Sequence, residues 1–480
     1  MIGLKREPSY NSGYSPDHKG PAISNESITI SNVTLTPIKL FSNIPRHSFN
    51  SPVPHRRNIY IPPSPPRKNA RSRARILNTK DSYLNDLKEL ITDLIHHLGI
   101  KPFNNTNAKN SLTRLLNNYE RFNTANQETE YDRILKHGSN LNLSTLNINN
   151  ERYIASGKNG NVYRLNGKNA VLKILKTNPK NNNKQSLLGE FYSALINYKI
   201  QLELREKRIS NDCINKILQI YVKRQRNSAG VKIAPNTLVL SYQEANGDLI
   251  TFLEKELNFL TNINLRYEAF HKLFQDSIKI LYLLIILGYV HRDIKPDNML
   301  YIKTPDGKYY LQITDLATIR KVNTSTTVIV GSKDYISPNY VLQYALLSPT
   351  NKIKIKHLLD FYSMGISDFI FCVNILNIES SYVNYFPFTE EYTENLNDLK
   401  YNIWRNNRLY QEQVILLQDF IDYCLRNSIN KGLSSKNRGL LEKDLQMIQT
   451  LVLSNNPLPN RGQDMEAETI QAIKTYLGIR

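Results

Sequence analysis

The run HRDIKPDN, residues 291–298, constrains the fold and chemistry of this 480-residue chain more than any other feature. Five of its eight residues are ionisable, yet it closely follows an apolar stretch, 269–287, with the spacing and length of a buried helix. An aspartate, a lysine and an asparagine are therefore expected beside a core helix. This makes the loop the first candidate for a site of chemistry.

The pattern of secondary structure changes along the chain. Short runs typical of strands lie before the loop, with one long polar helix between them, and after Asp248 the pattern becomes mainly helical. This order predicts a small strand-rich lobe followed by a larger helical lobe. The strand runs are 153–155, 161–165, 170–175 and 237–240.

The 291–298 run resembles, throughout its length, the catalytic loop H-R-D-x-x-x-x-N of eukaryotic-type protein kinases. The resemblance implies that Asp293 accepts or orients the substrate hydroxyl proton and that Asn298 is a Mg²⁺ ligand. Lys295 lies where Ser/Thr-specific members carry a lysine that stabilises the transferred phosphoryl group. The implied reaction is transfer of the γ-phosphate of ATP to Ser or Thr of protein substrates, with ATP and Mg²⁺ as cofactors. His291 is interpreted as a packed core histidine.

A glycine-containing segment before the second strand run resembles the G-x-G-x-x-G-x-V loop that covers the phosphates of ATP. Gly157 and Gly160 take the second and third glycine positions, whereas Ala155 replaces the first. Two glycines three residues apart are by themselves more often a simple hairpin turn. The nucleotide-binding residues that the resemblance implies here are Ala155, Ser156, Gly157, Lys158, Asn159, Gly160, Asn161 and Val162.

Two further charged residues match the nucleotide site of the family. Lys173 ends the run Ala-Val-Leu-Lys, which is similar to V-A-I-K, whose lysine binds the α- and β-phosphates. Glu190 lies on the following helix, where the family has a carboxylate that pairs with this lysine. A surface lysine and a solvated helix glutamate are the alternative interpretations, because the Asn/Lys-rich stretch between them leaves the alignment loose.

Asp315 begins the run Asp-Leu-Ala, where the family has D-F-G and an aspartate that binds Mg²⁺. It follows a predicted hairpin whose turn contains Asp306 and Gly307. Leu316 is expected to fill an apolar slot. Ala317 lacks the conformational freedom of glycine, which restricts a flip of this segment. The departures concern regulation more than chemistry, because the carboxylate is present.

The run 331–339 resembles the G-T-x-x-Y-x-A-P-E segment that ends the activation segment of the family. Ser332 takes the threonine position and Asn339 takes the glutamate position, so the usual ion pair is expected to be missing or replaced. Asp360 begins a match to D-x-W-S-x-G, and its implied role is to brace the backbone of the catalytic loop.

The resemblance covers about residues 151–450 and implies an α+β fold, the two-lobed protein-kinase fold with a small β-rich N-lobe and a larger helical C-lobe. The predicted domains are a disordered basic tail at 1–78, a helical appendage and linker at 79–150, the N-lobe at 151–245 and the C-lobe at 246–480. Within the appendage, 82–98 and 111–122 have helical apolar spacing.

The positive charge is concentrated in the tail. The net charge is +20, and residues 1–80, with 13 Lys or Arg against 3 Asp or Glu, carry +10 of it. Eleven of the 21 prolines precede Arg67, which favours disorder. The basic cluster 67–75 is interpreted either as a nucleic-acid or nuclear-import contact or as a solvated tail with incidental charge.

Composition also limits the compartment. Residues 1–10 are polar and contain Pro8, which does not match a secretory signal, and the longest apolar run, 280–287, is too short for a bilayer. Cys213, Cys372 and Cys424 are far apart and fit buried thiols in a reducing environment. We expect an intracellular protein, cytoplasmic or nuclear, with no membrane contact. The Asn, Lys and Ile richness points to an AT-rich genome, such as that of a virus.

Regulation and substrate choice have weaker signals. A phosphate on one of four hydroxyls could pair with Arg292 and order the activation segment; the alternative is an exposed Ser/Thr-rich loop. Asp248 and Asp297 favour substrates with basic residues near the target hydroxyl. Either Leu240 or Ser241 occupies the gatekeeper position between the lobes. The four hydroxyls belong to Thr324, Ser325, Thr326 and Thr327.

Two other function classes remain open. The replacements Ala155, Leu316, Ala317 and Asn339 fit a pseudokinase scaffold, although all the charged catalytic positions are kept. A nucleic-acid-binding protein that acts through its basic tail is the other alternative. Removing residues 1–78 would distinguish the tail from the kinase-like part.

Overall fold

The structure is a computed structural model of the 480-residue chain. All described residues fall in one compact unit, Pro65–Arg480. The predicted disordered tail, 1–78, lies outside them. The residues that the structure describes are 79–99, 106–120, 141–142, 151–156, 160–165, 169–176, 184–223, 237–326, 330–332, 335–337, 340, 352–377, 432–454 and 464–479.

A six-stranded antiparallel sheet forms the first lobe, with the strand order β1-β5-β6-β4-β3-β2. The four predicted strand runs are confirmed as β2, β3, β4 and β6, whereas β1 and β5 were not predicted. β1 lies within the predicted appendage, 79–150, but pairs with β5 of the predicted N-lobe. The boundary between appendage and N-lobe at residue 150 therefore stays a prediction. The strands are β1 (Leu141–Asn142), β2 (Glu151–Ser156), β3 (Gly160–Leu165), β4 (Ala170–Leu175), β5 (Ile217–Lys223) and β6 (Thr237–Gln243).

Three helices accompany this sheet: α1 (Thr79–His97), α2 (Thr106–Glu120) and α3 (Lys184–Glu206). Helix α2 packs beside β1, α3 packs beside β5, and α1 packs on α2 and α3. The two helices predicted at 82–98 and 111–122 are confirmed, although both begin earlier than predicted, at Thr79 and Thr106. The long polar helix predicted between the strands is present as α3, and every residue from 187 to 200 of it is buried. Its polar side chains are accommodated by internal hydrogen bonds, as where Asn197 Nδ2 donates to Asn215 O over 2.7 Å.

The second lobe is helical around α5 (Ile263–Leu287), which confirms the predicted buried helix. Asn262 caps its first turn by accepting from Leu265 N, and Gly288, at φ 66°, ends it in the left-handed conformation. The buried Asp444 carboxylate on α7 accepts from Tyr267 on α5 and Tyr476 on α8. The other helices are α4 (Leu249–Lys255), α6 (Leu358–Ile375), α7 (Ser435–Leu453) and α8 (Met465–Leu477).

Seven short strands follow the six-stranded sheet in the chain and form three smaller sheets among the described residues. A three-stranded sheet has the order β10-β9-β7, and the predicted hairpin turn is confirmed between β9 and β10, where Gly307 has a φ of 79°. Two further pairs join β11 to β8 and β12 to β13. These strands are β7 (Gly247–Asp248), β8 (Tyr289–Val290), β9 (Met299–Lys303), β10 (Tyr309–Ile313), β11 (Arg320–Lys321), β12 (Ser325–Thr326) and β13 (Ile353–Lys354).

Helix α6 has the length and apolar character of a membrane span, with a mean hydropathy of 1.4. It is nevertheless 83% buried inside the protein, as the core helix of a folded lobe is. Cys372 on this helix is buried, and burial raises the pKa of the Cys213 thiol to about 12, so both have the environment of structural thiols. Cys424 lies outside the described residues.

The predicted fold class is therefore confirmed: a strand-rich lobe precedes a larger helical lobe. Backbone hydrogen bonds connect the two, because Asn215 N donates to Ile313 O over 3.0 Å and Ile313 N donates to Cys213 O over 2.9 Å. The segment before β5 is thus tied to the end of β10. This arrangement brings the residues that follow β10 under α3.

Candidate functional site

The backbone of the catalytic-loop candidate, 291–298, is held by hydrogen bonds to the side chain of Asp360, at the start of α6. One carboxylate oxygen accepts from His291 N over 2.6 Å and the other accepts from Arg292 N over 2.8 Å. Arg292 adopts a left-handed backbone with φ 72°, a conformation that non-glycine residues rarely adopt. Burial raises the pKa of Asp360, and the two N–H donors act against that increase. The predicted bracing contact is present.

His291 links the loop to the end of β10. Its Nε2 lies 3.0 Å from Thr314 O, and its Nδ1 accepts from Asp293 N over 3.3 Å. Because a carbonyl only accepts, the tautomer with the proton on Nε2 satisfies both contacts. The ring is fully buried, which agrees with the interpretation as a packed core histidine.

Asp293 is at the centre of a polar cluster with Lys295, Asn298 and Ser332. Ser332 Oγ donates to Asp293 Oδ1 over 2.8 Å and accepts from Lys295 Nζ over 2.8 Å. Lys295 Nζ is also 3.5 Å from Asp293 Oδ2. Asn298 Nδ2 donates to Asp293 O over 2.8 Å and to Asp293 Oδ2 over 3.3 Å. The three predicted residues of the loop are thus in direct contact.

Asp315 follows β10 with a left-handed backbone, φ 57° and ψ 67°. Burial is the largest cause that raises the pKa of its carboxyl, and the negative charge of Glu190 adds to it, whereas the positive charge of Lys173 acts in the opposite direction. A cation beside the carboxyl group would stabilise its ionised form in this environment. Leu316 is buried in the main core, as predicted.

Lys173 and Glu190 form the predicted ion pair, with Lys173 Nζ 2.6 Å from Glu190 Oε1. Glu190 lies on α3 and is 9% exposed, and Lys173 lies on β4. The Asn/Lys-rich stretch between them made this pairing uncertain in the sequence. The interpretation as an unrelated surface lysine and solvated glutamate is therefore wrong.

The strand register aligns the sheet at Lys173. Lys173 is directly opposite Val162 on β3 and Leu240 on β6, and Val162 is opposite Ala155 on β2. Directly opposed residues of antiparallel strands lie on one face, so Leu240 shares the face of Lys173. Ser241 is paired with Leu172 and belongs to the other face. Of the two gatekeeper alternatives, the register favours Leu240.

The glycine-containing segment is partly described. Ser156 ends β2 opposite Asn161, and its hydroxyl accepts a hydrogen bond from Lys176 Nζ. Gly160 begins β3 so close to β4 that a Cβ atom would lie 2.8 Å from Ile174 O, which explains the need for glycine there. Gly157, Lys158 and Asn159 lie outside the described residues.

The activation-segment residues have mixed outcomes. Gly331, at φ 122°, passes so close to the loop that a Cβ would lie 2.7 Å from Arg292 O. Thr324 Oγ1 donates to Lys321 O over 2.6 Å on the exposed side of the segment. Thr327 and Asn339 lie outside the described residues. Whether a phosphate forms on this segment stays a prediction.

The two carboxylates predicted to favour basic substrates differ in environment. Asp248 accepts from Thr251 N over 2.7 Å and so caps α4. Asp297 is exposed, on the short 3₁₀ turn Pro296–Asn298. Asp248 thus has a structural role that does not depend on any substrate.

Several contacts at the site were not anticipated from the sequence. Ser332 was assigned only a position in a motif, not its bridge between Asp293 and Lys295. Arg320 was not singled out, yet its guanidinium lies 5.0 Å from the centre of the Tyr192 ring on α3 and 3.0 Å from Asp86 on α1. No local pattern marks such residues, because their partners are distant in the chain.

The protein kinase domain family model matches residues 148–439. The match spans more than half of the chain, and with the geometry above it shows that the chain belongs to the protein kinase family.

Curated relatives agree with this family. The chain is 34% identical over 105 residues to serine/threonine-protein kinase MRCK gamma of Homo sapiens, covering 21% of this chain and 6% of that protein. It is 43% identical over 56 residues to Rho-associated protein kinase 1 of Oryctolagus cuniculus, covering 11% of this chain and 4% of that protein. The chain thus spans less than a tenth of the length of these relatives.

Proposed function

We propose that this chain is an ATP-dependent protein serine/threonine kinase that transfers the γ-phosphate of ATP to Ser or Thr hydroxyls of protein substrates. The observation that carries the proposal is the cluster in which Asp293 contacts Lys295, Asn298 and Ser332. Phosphoryl transfer depends mainly on positioning and on neutralisation of charge. The cluster offers a carboxylate for the attacking hydroxyl and a cation beside it.

Asp293 is the proposed base. A substrate hydroxyl that donates to its carboxylate would be oriented for attack, and the carboxylate would accept the proton as the new bond forms. Lys295 would stabilise the negative charge of the transferred group. A lysine two residues after the aspartate supports Ser/Thr rather than Tyr as the acceptor, by the family resemblance.

Lys173 and Glu190 are proposed to position the nucleotide. The 2.6 Å ion pair holds the ammonium group of Lys173 on the face of the sheet shared with Val162 and Leu240. From there the ammonium group can bind the α- and β-phosphates of ATP. The segment from Ala155 to Val162 is proposed to cover the phosphates, and Leu240 is the proposed gatekeeper.

Asn298 and Asp315 are the proposed Mg²⁺ ligands, and their donor chemistry fits the ion. Asn298 directs its amide nitrogen at Asp293, so its amide oxygen points the other way and can bind a cation. Mg²⁺ prefers such oxygen donors and commonly uses one or two protein ligands together with substrate phosphates. Bound Mg²⁺ would neutralise phosphate charge.

The remaining assignments are proposed with the kinase activity. Protein substrates with basic residues near the target hydroxyl would suit the carboxylates of Asp248 and Asp297. We propose four parts of the chain: a tail at 1–78, an appendage at 79–150, an N-lobe at 151–245 and a C-lobe at 246–480. The basic cluster at 67–75 is a proposed nucleic-acid or nuclear-import contact in an intracellular protein.

The test is transfer of labelled phosphate from ATP to a generic basic protein in the presence of Mg²⁺, with the full chain. We expect Asp293→Asn to lower the rate by about 10² to 10⁴. Asp306→Asn is the matched control, because Asp306 is exposed in the β9–β10 turn, and it should retain the wild-type rate. Chelation of Mg²⁺ should abolish transfer.

The other function classes predict different results. A pseudokinase scaffold would show no transfer by the wild type above the Asp293→Asn level. A nucleic-acid-binding protein would lose binding on removal of residues 1–78, whereas a kinase should retain phosphoryl transfer after that removal.

A further inference from the structure

Helix α3, which carries Glu190, is covered on its outer side by α1. Four apolar residues of α1, together with Leu98 directly after it, are almost fully buried and belong to the same core cluster as the apolar residues of α3. This explains why α3 is buried at every residue from 187 to 200. The five are Leu87, Leu90, Ile91, Leu94 and Leu98. The position of Glu190 therefore depends on a helix that precedes the lobe in the sequence.

Two acidic residues of α1 add charged contacts to this apolar interface. Asp86 and Asp93 are seven residues apart and so lie on one side of the helix. Asp93 pairs with Lys199 Nζ on α3, and Lys199 is itself 7% exposed. Asp86 Oδ2 lies 3.0 Å from Arg320 Nη2. One contact is thus made to α3 and the other to the segment after Asp315.

Arg320 connects three parts of the site. Its guanidinium lies 5.0 Å from the centre of the Tyr192 ring on α3. The Nη1 atom donates to the carbonyl oxygen of the preceding residue, Ile319, over 2.8 Å. Tyr192 OH in turn donates to Ile319 O over 3.5 Å. Arg320 is largely buried, with 16% of its side chain exposed. A buried guanidinium needs an anionic partner, which Asp86 supplies.

The charge of Asp86 also acts on the catalytic loop. Burial raises the pKa of Asp86, and the positive charges of Arg320 and then Arg292 act to lower it. Arg292 is buried beside the same segment, where its Nη1 lies 3.4 Å from Thr318 O. The carboxylate of Asp86 thus contacts Arg320 of the segment and lies within electrostatic range of Arg292 of the loop.

We propose that Asp86 is a positioning residue that supplies, from α1, the negative charge that holds the 315–321 segment against α3 and the catalytic loop. The inference rests on the proposed kinase function. Asp86 acts through Arg320: it keeps the backbone of Asp315 in place while α1 keeps Glu190 on Lys173. Activity then requires α1 and does not require a phosphate on the activation segment.

This inference favours one of the two interpretations of the hydroxyl-rich run. A phosphate on Thr324 or its neighbours would have supplied a negative charge for Arg292. Asp86 already supplies such a charge from a different part of the chain. The run is then an exposed loop whose modification is not needed for activity.

The test compares Asp86→Asn, which removes the charge at nearly constant shape, with Asp86→Glu, which restores it. Glu89→Gln is the matched control, because Glu89 is an exposed acidic residue on the same helix. We expect kcat of Asp86→Asn to fall about tenfold, with KM for the protein substrate within about twofold of wild type. Asp86→Glu should recover most of the loss, and Glu89→Gln should match wild type.

A second measurement separates this inference from the kinase proposal. Amide hydrogen exchange of residues 315–321 should be faster in Asp86→Asn than in Glu89→Gln, whether or not the protein transfers phosphate. An inactive wild type with this exchange difference would overturn the kinase proposal and support the positioning role. If Asp86→Asn does not fold, Arg320→Gln removes the same ion pair and leaves α1 unchanged.

Two results would overturn the inference. One is an Asp86→Asn variant, or its Arg320→Gln substitute, whose kcat and exchange both equal those of wild type. The other is loss of activity both on phosphatase treatment of the full chain and when all four hydroxyls at 324–327 are replaced by alanine, since the two together would show a requirement for modification. Unchanged activity of this quadruple variant is expected.

Discussion

Ser332 Oγ donates a hydrogen bond to Asp293 Oδ1 over 2.8 Å while accepting one from Lys295 Nζ, also over 2.8 Å. The hydroxyl therefore joins the proposed base to the proposed phosphate-stabilising lysine. Since Ser332 comes from the activation segment and Asp293 from the catalytic loop, the bridge couples the position of one to the other. It requires only a hydroxyl, which both serine and the threonine of the family motif provide.

Replacing Ser332 by alanine should lower kcat by about tenfold, because the carboxylate and the ammonium group lose a shared contact that orients both. KM for ATP should change little, since Lys173 and Glu190 are not touched. Steady-state kinetics would measure both values, and Ser332→Thr should retain activity. Ser325→Ala, at an exposed serine of the same segment, is the control; equal rates for Ser332→Ala and wild type would contradict the bridge.

Asp360→Asn should impair catalysis without touching the reacting groups. An asparagine can accept only one of the two N–H groups of His291 and Arg292 with its oxygen, and its own NH₂ would oppose the other. We expect about 1–3 kcal/mol of lost stability and a decrease in kcat larger than any change in KM. Urea unfolding and steady-state kinetics would measure these effects. A kcat equal to that of Asp306→Asn would contradict the bracing role.

Glu190→Gln should lower the pKa of Asp315. The raised pKa of Asp315 is caused first by burial and then by the charge of Glu190, so removal of that charge favours the ionised form. Because a Mg²⁺ ligand must be ionised, the acid limb of Mg²⁺-dependent nucleotide binding should move to lower pH. Carbon NMR of the carboxyl group and calorimetry at several pH values would measure the shift. A shift to higher pH would contradict the electrostatic assignment.

Asp368 should make stability depend on pH in a recognisable direction. Burial raises its pKa well above the ordinary range, while the hydrogen bond from Ser277 Oγ, 2.7 Å long, acts against burial. The folded pKa thus exceeds the unfolded value of about 3.9. Its favourable contribution is complete below the unfolded pKa and is lost as the pH rises through the folded pKa.

The variant Asp368→Asn isolates this contribution. The unfolding free energy of the wild type should decrease relative to that of the variant as the pH rises through the raised pKa of Asp368. Chemical denaturation of both proteins across a pH series would measure it. A difference that is constant with pH would show that Asp368 is ionised throughout and that its pKa is not raised.

Local patterns predicted much of the fold. The apolar spacing of α1, α2 and α5 identified helices whose existence the structure confirms, because a helix buries a face defined by residues three and four apart. The strand β5 was missed, although it is an inner strand of the sheet and pairs with both β1 and β6. The polar character of α3 was also misleading, since Asn197 and Lys199 are buried with partners from other elements.

The candidate site was predictable to a different degree at each residue. Asp293, Lys295 and Asn298 lie within six consecutive residues, so their contacts follow from one loop. The pair of Lys173 and Glu190 depended on a loose alignment, and only the tertiary structure brought their charged atoms to 2.6 Å.

By itself, the sequence determined which reactive groups are present and which elements carry them, because motif chemistry and periodicity are local properties. Only the tertiary structure decided that Ser332 bridges Asp293 and Lys295 and that Asp86 meets Arg320. Each of these contacts joins elements that are remote in sequence. Its distance is set by the packing of helices and strands around a shared core, which no short stretch of residues encodes.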